Sequence, residues 1–550
     1  MTIIPYKKIA WISLAATVGI IGCNRKLDLV PESNIADANF WKSTNDLILA
    51  CNYLYQSLPY IQNNINATWS DDGYGTAGNP ISDGSRVAPA EDDANFTANY
   101  RLIRQANNIL EKSALVPGDA ALIRRYKGEA YFFRAFAYSK LVRRYGDLPL
   151  ILRTFDVFDT LATAHKSPRE TVLDSLYRDL DSAIAALPAA AALPAAEYGR
   201  ITRNAALALK SNTGLFEGTR NKYHNLGNAG KHLNLALTAT ETLMGMGHSL
   251  FRYAAVPDSS YFYLFQYAGN GRSNPENILA RLYGQSATNP IVQHNYTRDN
   301  LANGHVTPTR AFMDSYLYED GLPPERSSLG MPRQANSLSE FTDRDPRIGM
   351  TVFNKNVMSF FLAPYIPNFD NAPTGYKVRK YATIEDFVSQ QSFNHYIIFR
   401  YGEILLNYAE LKYELDGSLS DADLDKSINL LRDRAGMPDL TNAFVTGNTL
   451  TMLEEIRRER RVELAFEGEH RYWDLVRWKT AETELPKAIK GTRLFPAEQG
   501  NTQGRVVDEN GFVIVQAATA RKFDVSRDYW WPFPTMDVGV NPNMPQNDKW

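Results

Sequence analysis

Apolar residues recur at helical spacing over most of the first 250 positions. Phe40, Leu47, Cys51 and Leu54 share one face of a helix expected over Asn39 to Tyr60. Tyr100, Ile103, Asn107 and Leu110 align in a second over Ala94 to Leu115. A third, about Asp119 to Tyr145, places Tyr131, Ala135, Tyr138, Val142 and Tyr145 on one stripe. Its Gly128, Ala130 and Ala137 are small enough to admit a neighbouring helix, and Gly146 and Pro149 end it. Ser167-Pro168-Arg169-Glu170 has the form of a capping box and opens a helix carrying Val172, Leu173, Leu176, Leu180, Ile184 and Leu187. Two more helices are expected near Thr202 to Arg220 and Ala229 to Gly245. Successive antiparallel pairs of this kind predict a mainly α chain, in which tetratricopeptide-like helix pairs build a superhelical scaffold.

The period fades from His248 to His395, where Gly, Pro, Asn and Tyr are frequent and a loop-rich, irregular subdomain with short strands is expected. Tyr261, Tyr263, Phe265 and Tyr267 alternate as a half-buried strand would. Thr307-Pro308-Thr309 starts a short helix, and Asp343-Arg344-Asp345-Pro346-Arg347 reads as a turn pinned by ion pairs. Helical spacing returns over His395 to Asp416, and Ser420 caps a helix carrying Leu424, Ile428, Leu431 and Ala435.

The stretch from Ile456 to Trp478 is unusual, because apolar and ionised groups share one stripe: Leu453, Ile456, Arg460, Leu464 and Glu467. Some of these charges must be partly buried. Arg460 has Glu463 at i+3 and Arg458 follows Glu455 by three, spacings at which guanidinium and carboxylate pair. Glu463 and Glu467, or Asp71 and Asp72, offer two carboxylates to a glycosidase reading, while a buried ion network that fixes helix packing is the plainer one. Gly468 offers a helix end before Trp473, Leu475, Val476 and Trp478 resume the pattern.

Composition narrows the functions. The 550 residues carry a formal net charge of −2, which excludes nucleic acid as the main partner. Aromatics reach 12%, with 30 Tyr, 26 Phe and 8 Trp, and suit core, interface and sugar stacking alike. No cofactor is expected. Asp343 and Asp345 lack the glycine and glutamate spacing of a calcium loop, so no metal is expected either. Between the first two helices, Asn66 to Asp93 reads as a long irregular loop containing Trp69, Asp71 and Tyr74. At the start, Lys7 and Lys8 precede an apolar run from Ile9 to Ile21, too short to span a membrane, and Ile20-Ile21-Gly22-Cys23 is similar to a bacterial lipobox. Residues 1–22 are then a lipoprotein signal peptide, and Cys23 becomes the lipid anchor. Cys51, the other cysteine, reads as a buried and inert thiol.

Three further stretches carry a family resemblance: FRYGEILLNYAEL from Phe399, INLLRDRAG from Ile428 and ERRVELAFEG from Glu459. Together with Thr307 to Gly321, Asp343 to Arg347, Thr374 to Tyr381 and the Pro532-Phe533-Pro534 close, they resemble the SusD/RagB family of nutrient-binding outer-membrane lipoproteins. The resemblance implies one SusD-like fold divided into a helical part over 23–247, a loop-rich ligand-facing part over 248–394, and C-terminal helices and tail over 395–550. It implies a non-enzyme that binds an oligo- or polysaccharide at the cell exterior, lipid-anchored in the outer membrane, and delivers it to a SusC-type TonB-dependent transporter. Peptide uptake and envelope glycoside hydrolysis are the alternatives. Trp69, Asp71 and Tyr74 in the first loop, with Tyr261, Tyr263 and Tyr296 as a second wall, are the expected ligand-binding residues, and no metal or catalytic residue is implied.

Overall fold

Ser43, Asp119 and Thr202 side chains start three of the scaffold helices where the apolar period begins. The computed structural model describes residues 40–284, 293–330, 335–358, 363–498 and 504–550. Helix α1 (Thr44–Leu54) is capped by Ser43, whose side chain accepts from the Asp46 amide. Helix α2 (Ala98–Lys112) follows a π-type turn, and α3 (Ala120–Tyr145) is capped by Asp119 and closed by Gly146 at φ 77°. Helices α4 (Arg169–Ala186), α5 (Arg203–Tyr223) and α6 (Ala229–Met244) continue the array, each packed on its predecessor. A Cβ on Gly214 or Gly218 would stand 2.8 Å from Ala236 Cβ or 2.6 Å from Leu233 Cδ2, so bare backbone sets the close approach of α5 and α6. Gly128 does the same for α3 against the end of α4, where Ala186 Cβ would lie at 2.9 Å.

The expected mainly helical, paired scaffold with few short strands is what the structure has. Local departures are informative. The capping box at Ser167 does not form: Ser167 pairs with Leu148 in a two-residue ladder, and Asp147 Oδ1 accepts the Arg169 amide at 2.7 Å instead. The expected strand at Tyr261–Tyr267 is a short helix, Ser260–Leu264. Pro257 begins the preceding 3₁₀ turn with a helical φ, and the Ser260 hydroxyl donates back to the Pro257 carbonyl at 2.6 Å. Conversely, the helix expected from His395 starts only at Tyr401. Tyr396–Arg400, with its β-branched Ile397 and Ile398, is a strand (β2) pairing antiparallel with Asn277–Arg281 (β1), and helix α7 is Tyr401–Asp416. Ser420 does cap a helical turn by accepting from Asp423, but a separate helix, α8 (Ile428–Ala435), follows it. The long loop before α2 begins with a 3₁₀ segment, Ile61–Trp69.

The charged stretch forms two helices, α9 (Met452–Glu463) and α10 (His470–Arg477), joined by a turn with Phe466 and Gly468 at positive φ. The pairing of Glu455 with Arg458 is present at 3.3 Å. Arg460 does not reach Glu463; it pairs with Asp474 on α10 at 3.1 Å and donates to Asn407 on α7 at 2.8 Å. Glu463, fully buried, accepts from Arg347 at 2.9 Å, from Arg400 at 2.7 Å and from Arg434. Arg400 also holds Glu276 at 2.9 Å and Glu467 at 2.7 Å, and Glu467 in turn holds Lys380 at 2.6 Å. The bland reading of Glu463 and Glu467 is therefore the structural one. Guanidinium groups engage both carboxylates, which lack the raised pKa a general acid needs.

That network predicts acid sensitivity. Burial alone would raise Glu463, Glu467 and Glu469, but Arg434 and Arg400 hold Glu463 well below the usual carboxylate range. Arg400 and Lys380 lower Glu467, and Arg144 and Arg143 bring Glu469 down to about 2. A depressed folded pKa contributes stability above the unfolded value of about 4.3 that is lost as pH falls through the folded value. Glu129 and Glu340, raised by burial, work in the opposite sense. The expected outcome is a urea midpoint, followed by circular dichroism, that falls steadily between about pH 4 and about pH 2. A midpoint independent of pH across that window would show that the carboxylates are not paired in solution.

Candidate functional site

The loop-rich part of the chain carries an open groove of about 360 Å³. Its floor is the short helix Arg347–Thr351, which presents Ile348, Gly349 and Met350, and its walls include Phe341, Asn354, Asn356 and Arg379. Arg347 is buried against Asp345, Glu459 and Glu463, so the ion network anchors the groove floor to α9 from behind. Helix Ser260–Leu264 packs on the same floor helix and sets an aromatic ledge beside the groove. Half-buried Tyr263 stacks on Tyr253 with ring centroids 4.2 Å apart and planes at 28°. The Arg379 guanidinium lies 4.2 Å from the Phe262 ring centroid and donates to the Gly349 carbonyl at 2.7 Å. Flat aromatic faces beside asparagine amides and a cation can stack on a ring and bond its hydroxyls.

Of the expected contact residues, Tyr263 comes nearest to this groove, packed on the same aromatic cluster as its lining residue Met350. Tyr261 and Tyr296 are each 1% exposed and offer no surface to a ligand. The Tyr261 hydroxyl donates to the Glu463 carbonyl at 2.7 Å and accepts from Lys380 at 2.9 Å, so its place is inside the ion network. Asp71 is also buried, against Arg471 at 2.8 Å and Arg461 at 3.1 Å; burial would raise its carboxyl, but the two guanidinium groups hold it well below the usual range. Asp72 pairs with Arg461 beside it, while burial raises its carboxyl. Trp69 is half-buried and meets Tyr472 and Trp531 edge-on at 5.9 and 5.2 Å, packed into the scaffold. Tyr74 is half-buried in a two-residue ladder with Thr307. Cys23 lies outside the described residues. Cys51 is buried, as expected, and burial pushes its thiol up.

Sequence reasoning missed Tyr253, Asn356 and Arg379. Only the tertiary fold puts Arg379 opposite Phe262, 117 positions away by number, and no local spacing signals it. Among the described residues no group of His, Cys, Asp and Glu stands together in a way that would hold a metal ion, and no helix is long and apolar enough to cross a membrane.

Comparison with known proteins gives two family-model matches, one described as SusD family over residues 265–550 and one described as starch-binding associating with outer membrane over residues 50–215. SusD-like protein P38 of Formosa agariphila is 24% identical over 502 residues, covering 86% of this chain and 92% of that one. Among solved structures, a SusD-like carbohydrate binding protein from Bacteroides fragilis is 26% identical with a TM-score of 0.77, covering 92% of this chain and 100% of that one. A laminarin binding SusD-like protein shares the fold at 20% identity and a TM-score of 0.62, covering 93% and 100%.

Proposed function

Since the chain belongs to the SusD family, we propose that it binds an oligo- or polysaccharide without altering it, at the loop-rich face. The observation that carries this reading is the groove of about 360 Å³ lined by Phe341, Asn354, Asn356 and Arg379, whose Met350 packs on the same aromatic cluster as the stacked Tyr253 and Tyr263. Carbohydrate binding in the Bacteroides fragilis relative and the outer-membrane association in the second family description support it. On this reading Cys23 carries the lipid that holds the protein in the outer membrane, facing the exterior, and the bound glycan passes to a SusC-type TonB-dependent transporter. Stacking gives modest affinity, which suits a protein that must release what it captures. The ligand-facing part is then 248–394, with Tyr263 its leading contact among the expected residues.

The test is titration calorimetry of residues 24–550 against glycan and peptide panels. Tyr263→Ala is expected to weaken the bound glycan about tenfold, the scale of one lost stacking contact with its buried area, without a matching loss of melting temperature. Binding of peptides alone, or a Tyr263→Ala variant with unchanged affinity, would overturn the assignment.

A further inference from the structure

We propose that the glycan this groove accepts carries an anionic substituent, a uronate carboxylate or a sulfate ester, and that Arg379 is the group that pairs with it. The inference rests on the glycan reading above and names the class of glycan. Throughout the molecule, buried guanidinium groups meet carboxylates: Arg134 meets Asp179 at 2.6 Å, Arg200 meets Glu129 at 2.7 Å and Arg477 meets Glu410. Others are locked in the interior by carbonyls, as Arg344 is by Met313 and Tyr316 at 2.6 and 2.9 Å.

Arg379 fits neither pattern. Among the described residues it makes one hydrogen bond, from Nη1 to the Gly349 carbonyl, and it lines an open groove. Burial pushes its guanidinium down to about 10, and only the Tyr263 hydroxyl works against that shift, with no carboxylate contributing. Among the described residues no carboxylate pairs with it.

The geometry suits an anion that offers two acceptor oxygens side by side. Phe262 packs against the guanidinium, and the Gly349 bond ties down one nitrogen, leaving Nε and Nη2 for a two-point grip on a carboxylate or sulfate. Asn354 and Asn356 on the same groove supply neutral groups for hydroxyls, and Met350 provides an apolar floor.

The experiment is affinity electrophoresis and calorimetry of residues 24–550 with laminarin and xylan as neutral polysaccharides, polygalacturonate and alginate as uronates, and carrageenan and dextran sulfate as sulfate esters. Retention by a uronate or a sulfated polymer is expected, and which of the two retains it identifies the anion. Arg379→Gln is expected to weaken that binding about tenfold or more, and Arg379→Lys less. Sodium chloride at about 0.5 M is expected to weaken it as well. Thr342→Glu, an exposed position on the groove edge, gives a second reading if Arg379→Gln proves unstable, by setting a like charge beside the ligand. Retention by neutral polysaccharides alone, or by anionic ones with both variants unaffected, overturns this inference and leaves the glycan reading standing. Retention by none of the six overturns both.

Discussion

Replacing Arg400 by methionine lowers the free energy of unfolding by about 3–5 kcal/mol, read as a fall in the urea midpoint. The size follows from what the side chain leaves behind. Arg400 donates to Glu276, to Glu463 through both its carboxylate and its carbonyl, and twice to Glu467, and all three glutamates lie at or below 7% exposure. Methionine fills similar volume, so little of the loss is cavity; the cost is three buried carboxylates short of one cation. Arg347 and Arg434 still hold Glu463, and Lys380 still holds Glu467, which is why the expected loss stays well below the full burial of three free ions. Adding Glu463→Gln and Glu467→Gln to Arg400→Met is expected to recover part of the loss, because neutralised partners no longer require a counter-charge. A midpoint within about 1 kcal/mol of the parent for Arg400→Met would mean that water reaches this network.

Glu469→Ala is the second large effect, expected at about 3–4 kcal/mol. Glu469 stands before α10 and accepts from Arg143 and Arg144 at 2.9 Å, from Asn66 at 3.1 Å and from the Trp473 indole at 2.7 Å. It therefore ties the first loop, α3 and α10 at one point. Arg144 is buried among the rings of Trp473 and Trp531, with centroids 5.1 and 5.0 Å away, and without Glu469 that guanidinium has no counter-ion. Nearby Lys140 is pushed down to about 7 by burial and by Arg144, a sign of how much positive charge Glu469 answers. Glu469→Gln keeps one acceptor oxygen, for either Asn66 or Trp473, but not the charge, and is expected to lose less than the alanine variant. Urea unfolding followed by tryptophan emission measures both; a Gln variant as stable as the parent would show that the hydrogen bonds, and not the charge, carry the site.

How far the fold could be read ahead depended on the range of the interaction. The apolar stripes of α2, α3 and α4 were legible because a 3.6-residue period is a local property of the chain. Tyr261 to Tyr267 misled because every second residue there is aromatic whichever element forms, and it is Pro257 upstream that sets a helical start. Tyr396–Arg400 took its strand from a partner more than a hundred residues away at Asn277–Arg281. The presence of a buried charge network was visible in the mixed stripe of α9, yet its wiring was not: Arg460 meets Asp474, and Arg461 meets Asp72 across 389 positions. The candidate site shows the same limit. Tyr263 announced itself by composition, while Arg379 becomes distinctive only through the carboxylate it lacks, and that is a property of the folded surroundings.

The ion network closes over residues from Glu276 to Glu467, with Arg347, Lys380, Arg400 and Arg434 drawn from separate elements between them. The pairings of Arg400 and Lys380 with Glu467 cannot form until that residue has left the ribosome, and a long chain-closure cost must be met before they repay it. During synthesis the polypeptide is thus held short of its native state by its own wiring. A chain of that kind acquires its complete ion network only once nearly all of it has been made.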